Sequence, residues 1–268
     1  MARADSDLDR AVLRKWQDDQ RAGELPDEAV APRSDVTALI YFYRPEDQVE
    51  RYFGYSAVAL RETWRQCGLL PTVVVTNGMS KPIEVFAARH SNVKVQVEPA
   101  LRPGDVTALS VDCNARLCER FSTEYVLVVQ DDGFPLRPGL DRFVGKYDFV
   151  GAPYRQRNLL GVVSGLLKRS WPMNGGCCLR SRRFCQQVAH YWNHYYAGRS
   201  FVPEVHADDI FCTKTLPTRF PEFYASMRWP SSRIAAEFSY EAALPMNRTA
   251  APFGFHGAAA FRELMEKR

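Results

Sequence analysis

The chain has 268 residues, 46% of them hydrophobic and 25% charged, which is an ordinary composition for a globular protein. Its formal net charge of +4 suits an anionic ligand such as a nucleotide and does not by itself require nucleic acid. Seven cysteines without any C-x-x-C pair argue against both a disulfide framework and a zinc site.

The first residues, M-A-R-A-D-S-D-L-D-R, are polar and charged and lack the apolar core of a signal peptide. No apolar run approaches the length needed to span a bilayer. We therefore expect a soluble, cytoplasmic protein without a transmembrane segment.

Residues 1–34 are predicted to form a charged N-terminal leader. Four of its apolar residues recur at helical spacing: Leu8, Val12, Leu13 and Trp16. This spacing indicates one amphipathic helix, although a partly ordered leader fits the composition equally well. A single folded domain is predicted to cover residues 35–268.

Strands and helices alternate through the first half of that domain. Runs of β-branched and aromatic residues predict strands over 36–43, 70–78, 93–97 and 125–129. Helical spacing predicts helices over 45–67, 83–90 and 106–121. This alternation indicates an α/β fold with a mainly parallel central sheet flanked by helices. The second half is predicted to be irregular, with a short strand over 147–152, a helix over 181–197 and loop-rich segments after residue 199.

The fourth predicted strand ends in Gln130, Asp131, Asp132 and Gly133. Two adjacent carboxylates at the end of a buried strand are costly unless a cation, a basic group or a helix N-terminus offsets their charge. Ligands of open α/β sheets bind at the carboxyl ends of the strands. On this stretch alone, a divalent metal site and a plain Asp-Asp-Gly turn are equally good interpretations.

Three later stretches contain further candidate residues. The first is N-G-G at 174–176, whose glycines permit either a tight turn or a close approach of the backbone to a ligand. The second is the acidic pair Asp208-Asp209, which fits a helix N-terminus as well as a catalytic base. The third is F-G-F-H-G near the C-terminus, in which His256 suits a structural role or, with Asp132, ligation of Mg²⁺ or Mn²⁺.

The order of these motifs resembles that of GT-A glycosyltransferases, and more closely that of a little-characterised bacterial family assigned to that fold. The pattern of that family is Q-x-D-G-F, Y-D-x-x-G-A-P, N-G-G-x-x-L-R-S-R, an acidic pair, F-S-x-E and F-G-F-H-G. This sequence contains Q-D-D-G-F, Y-D-F-V-G-A-P, N-G-G-C-C-L-R-S-R, F-S-Y-E and F-G-F-H-G. The resemblance covers about residues 36–258, leaves out the leader, and implies a GT-A-like fold with an irregular acceptor-side C-terminal half.

The resemblance also implies roles at the end of the fourth strand. Gln130 would lie near the donor ribose, and Asp131 would be the variable, replaceable middle residue of the motif. Asp132 and His256 would bind the metal, Mn²⁺ or Mg²⁺. Gln130 takes the place of the first carboxylate of the usual D-x-D motif, which removes one negative charge.

On the other side of the implied site, Asn174, Gly175 and Gly176 would line the donor sugar and the acceptor. Asp209 would be the catalytic base if the reaction inverts the anomeric centre, and Asp208 would orient the acceptor. The family usually has Glu-Asp at this pair, so the first carboxylate of this chain is one methylene shorter.

The activity that the resemblance implies is transfer of a sugar from a nucleotide-sugar donor, most of all a UDP-sugar, to a hydroxyl acceptor. A glycan or polysaccharide is the default acceptor, and hydroxylated DNA bases are the second, because the segment 155–171 is basic. That segment is expected to be a lid, an acceptor-binding segment or a solvated loop. A sugar-nucleotide nucleotidyltransferase and an inactive sugar-binding relative are the alternatives from other classes.

Overall fold

The computed structural model describes residues 2–22, 31–154, 172–196, 207–244 and 251–267. Within these ranges the chain forms the strands β1 Val36–Phe42, β2 Thr72–Thr76, β3 Val93–Val97, β4 Tyr125–Val129, β5 Phe149–Pro153, β6 Met173–Ser181, β7 Ser239–Tyr240 and β8 Gly254–Phe255. The helices are α1 Ala2–Ala22, α2 Glu46–Cys67, α3 Lys81–Arg89, α4 Val106–Ala115, α5 Leu117–Arg120, α6 Arg182–Tyr195, α7 Asp208–Ile210, α8 Leu216–Arg219, α9 Pro221–Ser226, α10 Ser232–Phe238 and α11 Ala258–Glu266.

A six-stranded sheet with the order β3-β2-β1-β4-β6-β5 forms the centre of the fold. The strands β3, β2, β1 and β4 are parallel, and β6 runs antiparallel between β4 and β5. The predicted mainly parallel α/β sheet flanked by helices is therefore confirmed. Because β1 and β4 are parallel neighbours, their carboxyl ends lie side by side, and the segments that follow them meet at one edge of the sheet.

Side chains alternate between two buried cores on the two faces of the sheet. Ala38, Ile40 and Leu127 point into the core that α1, α2, α3 and α11 cover. Leu39 and Val126 point into the other core, which α6, α8 and α9 cover. Since both faces are covered, β1 and β4 read as continuous apolar runs, and this is why their positions are predicted well from sequence.

The predicted helix over 106–121 is divided into α4 and α5 at Arg116, where φ is −130°. The break lets Arg120 turn back onto buried Asp112 of α4 and onto Glu98, whose carboxylate lies 2.8 Å away. The helix is therefore interrupted where its residues form an ion-pair cluster with other parts of the fold. The periodicity of apolar residues does not predict such a cluster.

The irregular C-terminal half consists largely of short helices in its described part. The helix α7 continues through a π-helical segment, Phe211–Thr215, into α8. Prolines stand in the first turn of both α8 and α9, where the missing N–H costs nothing. Ring contacts hold these helices to α6, such as the 4.6 Å separation of the Tyr191 and Phe220 centroids. Among the described helices, none is long and apolar enough to cross a membrane.

The helix α1 occupies much of the predicted leader and packs on α11 and α2. Leu13 is buried in the first core, and the Trp16 ring lies 5.3 Å from that of Phe261 on α11. The division of the chain at residues 34 and 35 stays a prediction.

Candidate functional site

The stretch that follows β4 is a tight turn. The Gln130 N–H donates to the carbonyl of Gly133 at 2.7 Å, and the Gly133 N–H donates back at 3.1 Å. Asp131 and Asp132 are the two central residues of this turn. The turn and the candidate site are thus the same element, because the turn presents both carboxylates at the carboxyl edge of the sheet.

His256, which directly follows β8, lies against this turn. Its Nε2 is 3.2 Å from Oε1 of Gln130, and the neighbouring Gly257 N–H donates to the carbonyl of Asp132 at 2.7 Å. A Cβ on Gly176 would lie 2.0 Å from Cδ2 of the imidazole, and one on Gly133 would lie 2.9 Å from it. The ring therefore fits only because both neighbouring residues are glycines.

The N-G-G stretch lies inside β6 and is not a turn. The tight-turn interpretation of its glycines is wrong, and the backbone there lies close to side chains of the protein itself. A Cβ on Gly175 would lie 2.8 Å from Nη2 of Arg180 and 3.1 Å from Cβ of Asp209. The two glycines thus serve the two sides of the site, Gly176 toward His256 and Gly175 toward the acidic pair.

Burial and neighbouring charges shift the pKa values of Asp132 in the turn and of His256 beside it. Burial raises the pKa of Asp132, and Asp131 adds to this effect against the influence of His256. Burial opposes protonation of His256, but Glu241 and Asp132 together raise its pKa. The His256 Nδ1 atom has no hydrogen-bond partner and lies 3.7 Å from Oε1 of Glu241, whose Oε2 atom is also buried without a partner.

These residues fit a divalent cation that has further ligands elsewhere. A half-buried carboxylate, a buried imidazole nitrogen without a partner and a second carboxylate are suitable ligand types for Mn²⁺ or Mg²⁺. In the described part of the chain no three His, Cys, Asp or Glu side chains form a complete metal site. The described part of the chain therefore offers only a partial set of metal ligands.

The acidic pair begins α7. Asp209 is buried, and its carboxylate accepts hydrogen bonds from the Tyr154 hydroxyl at 2.6 Å and from the N–H groups of Gly175 at 3.0 Å and Ile210 at 2.7 Å. Burial and the charge of Asp208 raise the pKa of Asp209, although the three hydrogen bonds oppose them. The pair thus begins a helix and also forms a polar cluster next to the glycines of β6.

Asp208 is paired with Arg180 of β6, whose Nη2 lies 2.6 Å from its carboxylate. The Arg180 side chain is only 2% exposed, and its guanidinium also lies 5.3 Å from the ring centroid of Phe149. A buried cation therefore stands between the acidic pair and the sheet. Sequence reasoning missed it, since an arginine inside a strand gives no periodic signal.

Asn174 joins the two sides of the site. Its Nδ2 donates to the Tyr154 hydroxyl at 3.2 Å and to Oε1 of Glu241 at 3.0 Å, and its Oδ1 accepts from the N–H of Gly176 at 2.6 Å. A chain of hydrogen bonds thus runs from Asp209 through Tyr154 and Asn174 to Glu241, and it ends 3.7 Å short of the imidazole. Tyr154 and Glu241 were not predicted as site residues, although the family motifs G-A-P and F-S-x-E end next to or at these positions.

Asp131 is directed away from the acidic pair. Its carboxylate forms an ion pair at 2.7 Å with Arg14 of α1. The motif residue Asp148 likewise has a structural environment, because it is fully buried and binds the side chains of Arg228 and Ser181. Gly151 of the same motif allows β5 to approach β6, since a Cβ there would lie 2.2 Å from the carbonyl oxygen of Asn174.

A cavity of about 270 Å³ opens at the carboxyl ends of β1 and β4. It reaches the turn on one side and the acidic pair on the other. Its polar and aromatic lining includes Tyr41, Tyr43, Arg44, Gln130, Asp131, Arg180 and Asp208. The predicted basic segment 155–171 lies outside the described residues.

Residues 109–256 match a family described as Protein of unknown function (DUF5672). The matched region is more than half of the chain. The chain belongs to the DUF5672 family. The matched region begins within α4 and ends at His256, so it contains the turn, the β6 glycines and the acidic pair. The helix α1 lies outside it. No curated protein matches the sequence.

Three solved glycosyltransferases are similar to this DUF5672 protein. The galactosyltransferase LgtC, solved with donor and acceptor sugar analogs, is 14% identical over 86% of this chain and 95% of that chain, with a TM-score of 0.43. Mouse xyloside xylosyltransferase 1 is 13% identical over 84% and 98%, with a TM-score of 0.49. The bifunctional glycosyltransferase WbbM is 13% identical over 83% and 45%, with a TM-score of 0.47.

Proposed function

We propose that this DUF5672 protein is a metal-dependent glycosyltransferase that moves a sugar from a nucleotide-sugar donor to a hydroxyl acceptor. One observation carries the proposal. The Asp132 turn and the acidic pair lie at the same edge of the sheet. Hydrogen bonds run from Asp209 through Tyr154 and Asn174 to Glu241, which lies 3.7 Å from the imidazole beside the turn. Glycosyl transfer needs two such groups of residues. One stabilises the leaving diphosphate, and the other binds and deprotonates the attacking hydroxyl.

The cavity is the proposed place of the nucleotide. Its volume of about 270 Å³ lies just under the range of roughly 300–1,000 Å³ that is typical of small-molecule sites, so it suits one part of the donor. Tyr43 offers an aromatic face for a base. Arg44 and Arg180 supply positive charge for phosphate oxygens, in a cavity that also contains Gln130.

Asp132 and His256 are the proposed cation ligands. A divalent cation would neutralise the charge that develops on the leaving diphosphate. Burial raises the pKa of Asp132, and a bound divalent cation would offset the cost of its negative charge. Glu241, whose Oε1 lies 3.7 Å from Nδ1 of the imidazole, is the residue that we add to the set predicted from sequence.

Asp209 is the proposed base, with Asp208 orienting the acceptor. The raised pKa of Asp209 brings the carboxyl closer to the pH at which a base works, and Tyr154 and Gly175 fix its orientation. Asp208 lines the cavity, where a hydroxyl of the acceptor would arrive. The donor sugar is proposed to lie between the Asp132 turn and the acidic pair, where it would be lined by Asn174, Gly175 and Gly176.

A glycan or polysaccharide is the proposed acceptor class, and a UDP-sugar is the proposed donor. The case for hydroxylated DNA bases depends on the segment 155–171, which lies outside the described residues. A binding measurement separates the two classes, since DNA binding that weakens steeply with salt would favour the nucleic-acid acceptor.

The decisive experiment is a screen of UDP-, GDP-, TDP- and CMP-sugars for hydrolysis and transfer with Mn²⁺, with thermal shift as a second measurement. We expect one donor class to raise the melting temperature and to be turned over only with a divalent cation. Asp132→Ala should abolish both effects, whereas Asp19→Ala, an exposed carboxylate on α1, should not. Full activity of Asp132→Ala in EDTA would exclude the metal role.

A further inference from the structure

The helix α1 holds the turn after β4 through two polar side chains. Arg14 Nη2 donates to Oδ2 of Asp131 at 2.7 Å, and Gln17 Nε2 donates to the main-chain carbonyl of Asp131 at 2.6 Å. A third bond, from Arg14 Nη1 to Gln17 Oε1 at 2.8 Å, joins the two side chains. The side chain and the main chain of one turn residue are thus both held from α1, although Arg14 lies 117 positions earlier in the sequence.

This contact lies within a packed interface. Gln17 is fully buried, and the guanidinium of Arg14 lies 3.9 Å from the ring centroid of Tyr55 on α2. On the same helix, Trp16 stacks at 5.9 Å on Phe134, the last residue of Q-D-D-G-F. An exposed ion pair between mobile side chains contributes little, but burial and ring stacking hold these side chains in one geometry beforehand.

We infer that Arg14 is a positioning residue for the cation and diphosphate site, an inference that rests on the proposed function. Two adjacent carboxylates repel each other and would compete for the same cation. Arg14 neutralises Asp131 and directs it toward α1, which leaves Asp132 as the carboxylate of the turn that is available to a cation. Asp131 is therefore not the replaceable residue that the motif alone implies, because it fixes the turn that presents Asp132.

Lysine would not replace this arginine fully. The planar guanidinium reaches Asp131 and Gln17 through two separate nitrogens while its face lies on Tyr55. A lysine ammonium is a point charge without a planar face, so it would keep the neutralisation and lose the fixed orientation. A graded series of variants at this position therefore separates charge from geometry.

The test measures three quantities: Mn²⁺ affinity with the nucleoside diphosphate of the best donor present, KM and kcat for that donor, and melting temperature. The variants are Arg14→Met, Arg14→Lys, Asp131→Asn and the double variant Arg14→Met/Asp131→Asn. Arg10→Met, which removes an exposed arginine of the same helix, is the matched control. Asp131→Asn leaves Leu13 and Trp16 untouched, so it loosens the turn without removing the apolar contacts of α1.

We expect Arg14→Met to weaken Mn²⁺ binding about 10-fold or more, the usual cost of losing a residue that orients a metal ligand. Donor KM should rise more than kcat falls, Arg14→Lys should recover part of the loss, and the double variant should lose no more than the larger single change. Arg10→Met should match the wild type.

Unchanged Mn²⁺ affinity and donor KM in Arg14→Met would overturn the positioning role and leave the proposed function intact. A lower melting temperature of Arg14→Met together with wild-type binding by Asp131→Asn would assign Arg14 a purely structural role and would also overturn it. A wild type that binds neither Mn²⁺ nor any nucleotide sugar would overturn the proposed function and this role together.

Discussion

The imidazole of His256 lies directly on the backbone of Gly176. A Cβ at Gly176 would lie 2.0 Å from Cδ2 and 2.2 Å from Nε2 of the ring, distances that no pair of non-bonded atoms tolerates. The three nearest atoms all belong to this one side chain. The second glycine of the N-G-G motif and the histidine of the F-G-F-H-G motif are therefore one steric unit.

Gly176→Ala is consequently expected to displace the imidazole. Overpacking in a closed site costs about 1–3 kcal/mol of stability, and loss of the ring position should reduce cation binding and turnover by about 10-fold or more. Thermal unfolding and Mn²⁺ titration measure the two effects. Gly78→Ala, where a Cβ meets nothing within 4 Å, is the matched control. Adding His256→Ala should restore stability to Gly176→Ala, and failure to do so would place the strain elsewhere.

Much of this arrangement can be predicted from the sequence. Strand ends of a parallel sheet fall at one edge, so the position of Asp132 and the strands around it follow from apolar runs and turn residues. The motifs that include His256 and Asp209 can be recognised because they are short and contiguous. Sequence reasoning does not show that Asn174 donates to both Tyr154 and Glu241 between them, because these three residues are far apart in the chain.

The distance between contacting residues along the chain also explains why Arg180 and Arg14 were not predicted from sequence. Arg180 reads as part of a strand, and only the fold shows that it is buried against Asp208. Arg14 stands in a charged segment whose helical spacing predicts packing of its apolar face but does not reveal which partner its polar side chains meet. Long-range pairing between ions depends on tertiary position, which periodicity does not encode.

The pKa of His256 depends on Glu241. Burial alone would lower it, but Glu241 and Asp132 outweigh burial and raise it in the protein without metal. Glu241→Gln should therefore lower the pKa of His256, which an NMR titration of the ring protons measures. Glu237→Gln, on α10 and away from the imidazole, should leave it unchanged. An unaltered His256 pKa in Glu241→Gln would show that the 3.7 Å approach is not an ion pair.

Tyr154→Phe tests Asp209 as the base. The tyrosine hydroxyl donates to the carboxylate at 2.6 Å and so lowers the pKa of Asp209, against burial and Asp208, which raise it. Without this donor the pKa rises further, and the acid limb of kcat/KM should move to higher pH, with a stability loss of about 1 kcal/mol. Tyr195→Phe, at an exposed ring, is the control. A changed rate with an unmoved acid limb would assign the base to another group.

We expect the motif residue Asp148 to affect the free energy of unfolding at acid pH and to have no effect on catalysis. Burial would raise its pKa, but hydrogen bonds from Arg228 and Ser181 outweigh burial and lower it from the ordinary value of 3.8. A carboxyl with a lowered folded-state pKa adds stability that is fully present above pH 3.8 and is lost as the pH falls through the folded-state value. The wild type should therefore lose stability below that pH.

Asp148→Asn should lack this acid-dependent loss and be less stable at neutral pH by about 1–3 kcal/mol, toward the lower end because Arg228 is half exposed. Chemical denaturation between pH 3 and pH 7 measures both differences. Asp141→Asn, whose side chain is 85% exposed beside Arg33, should change stability by less than about 1 kcal/mol. Because Asp148 touches neither the turn nor the acidic pair, donor KM should stay at its wild-type value. A raised KM with unchanged acid stability would instead place Asp148 in the site.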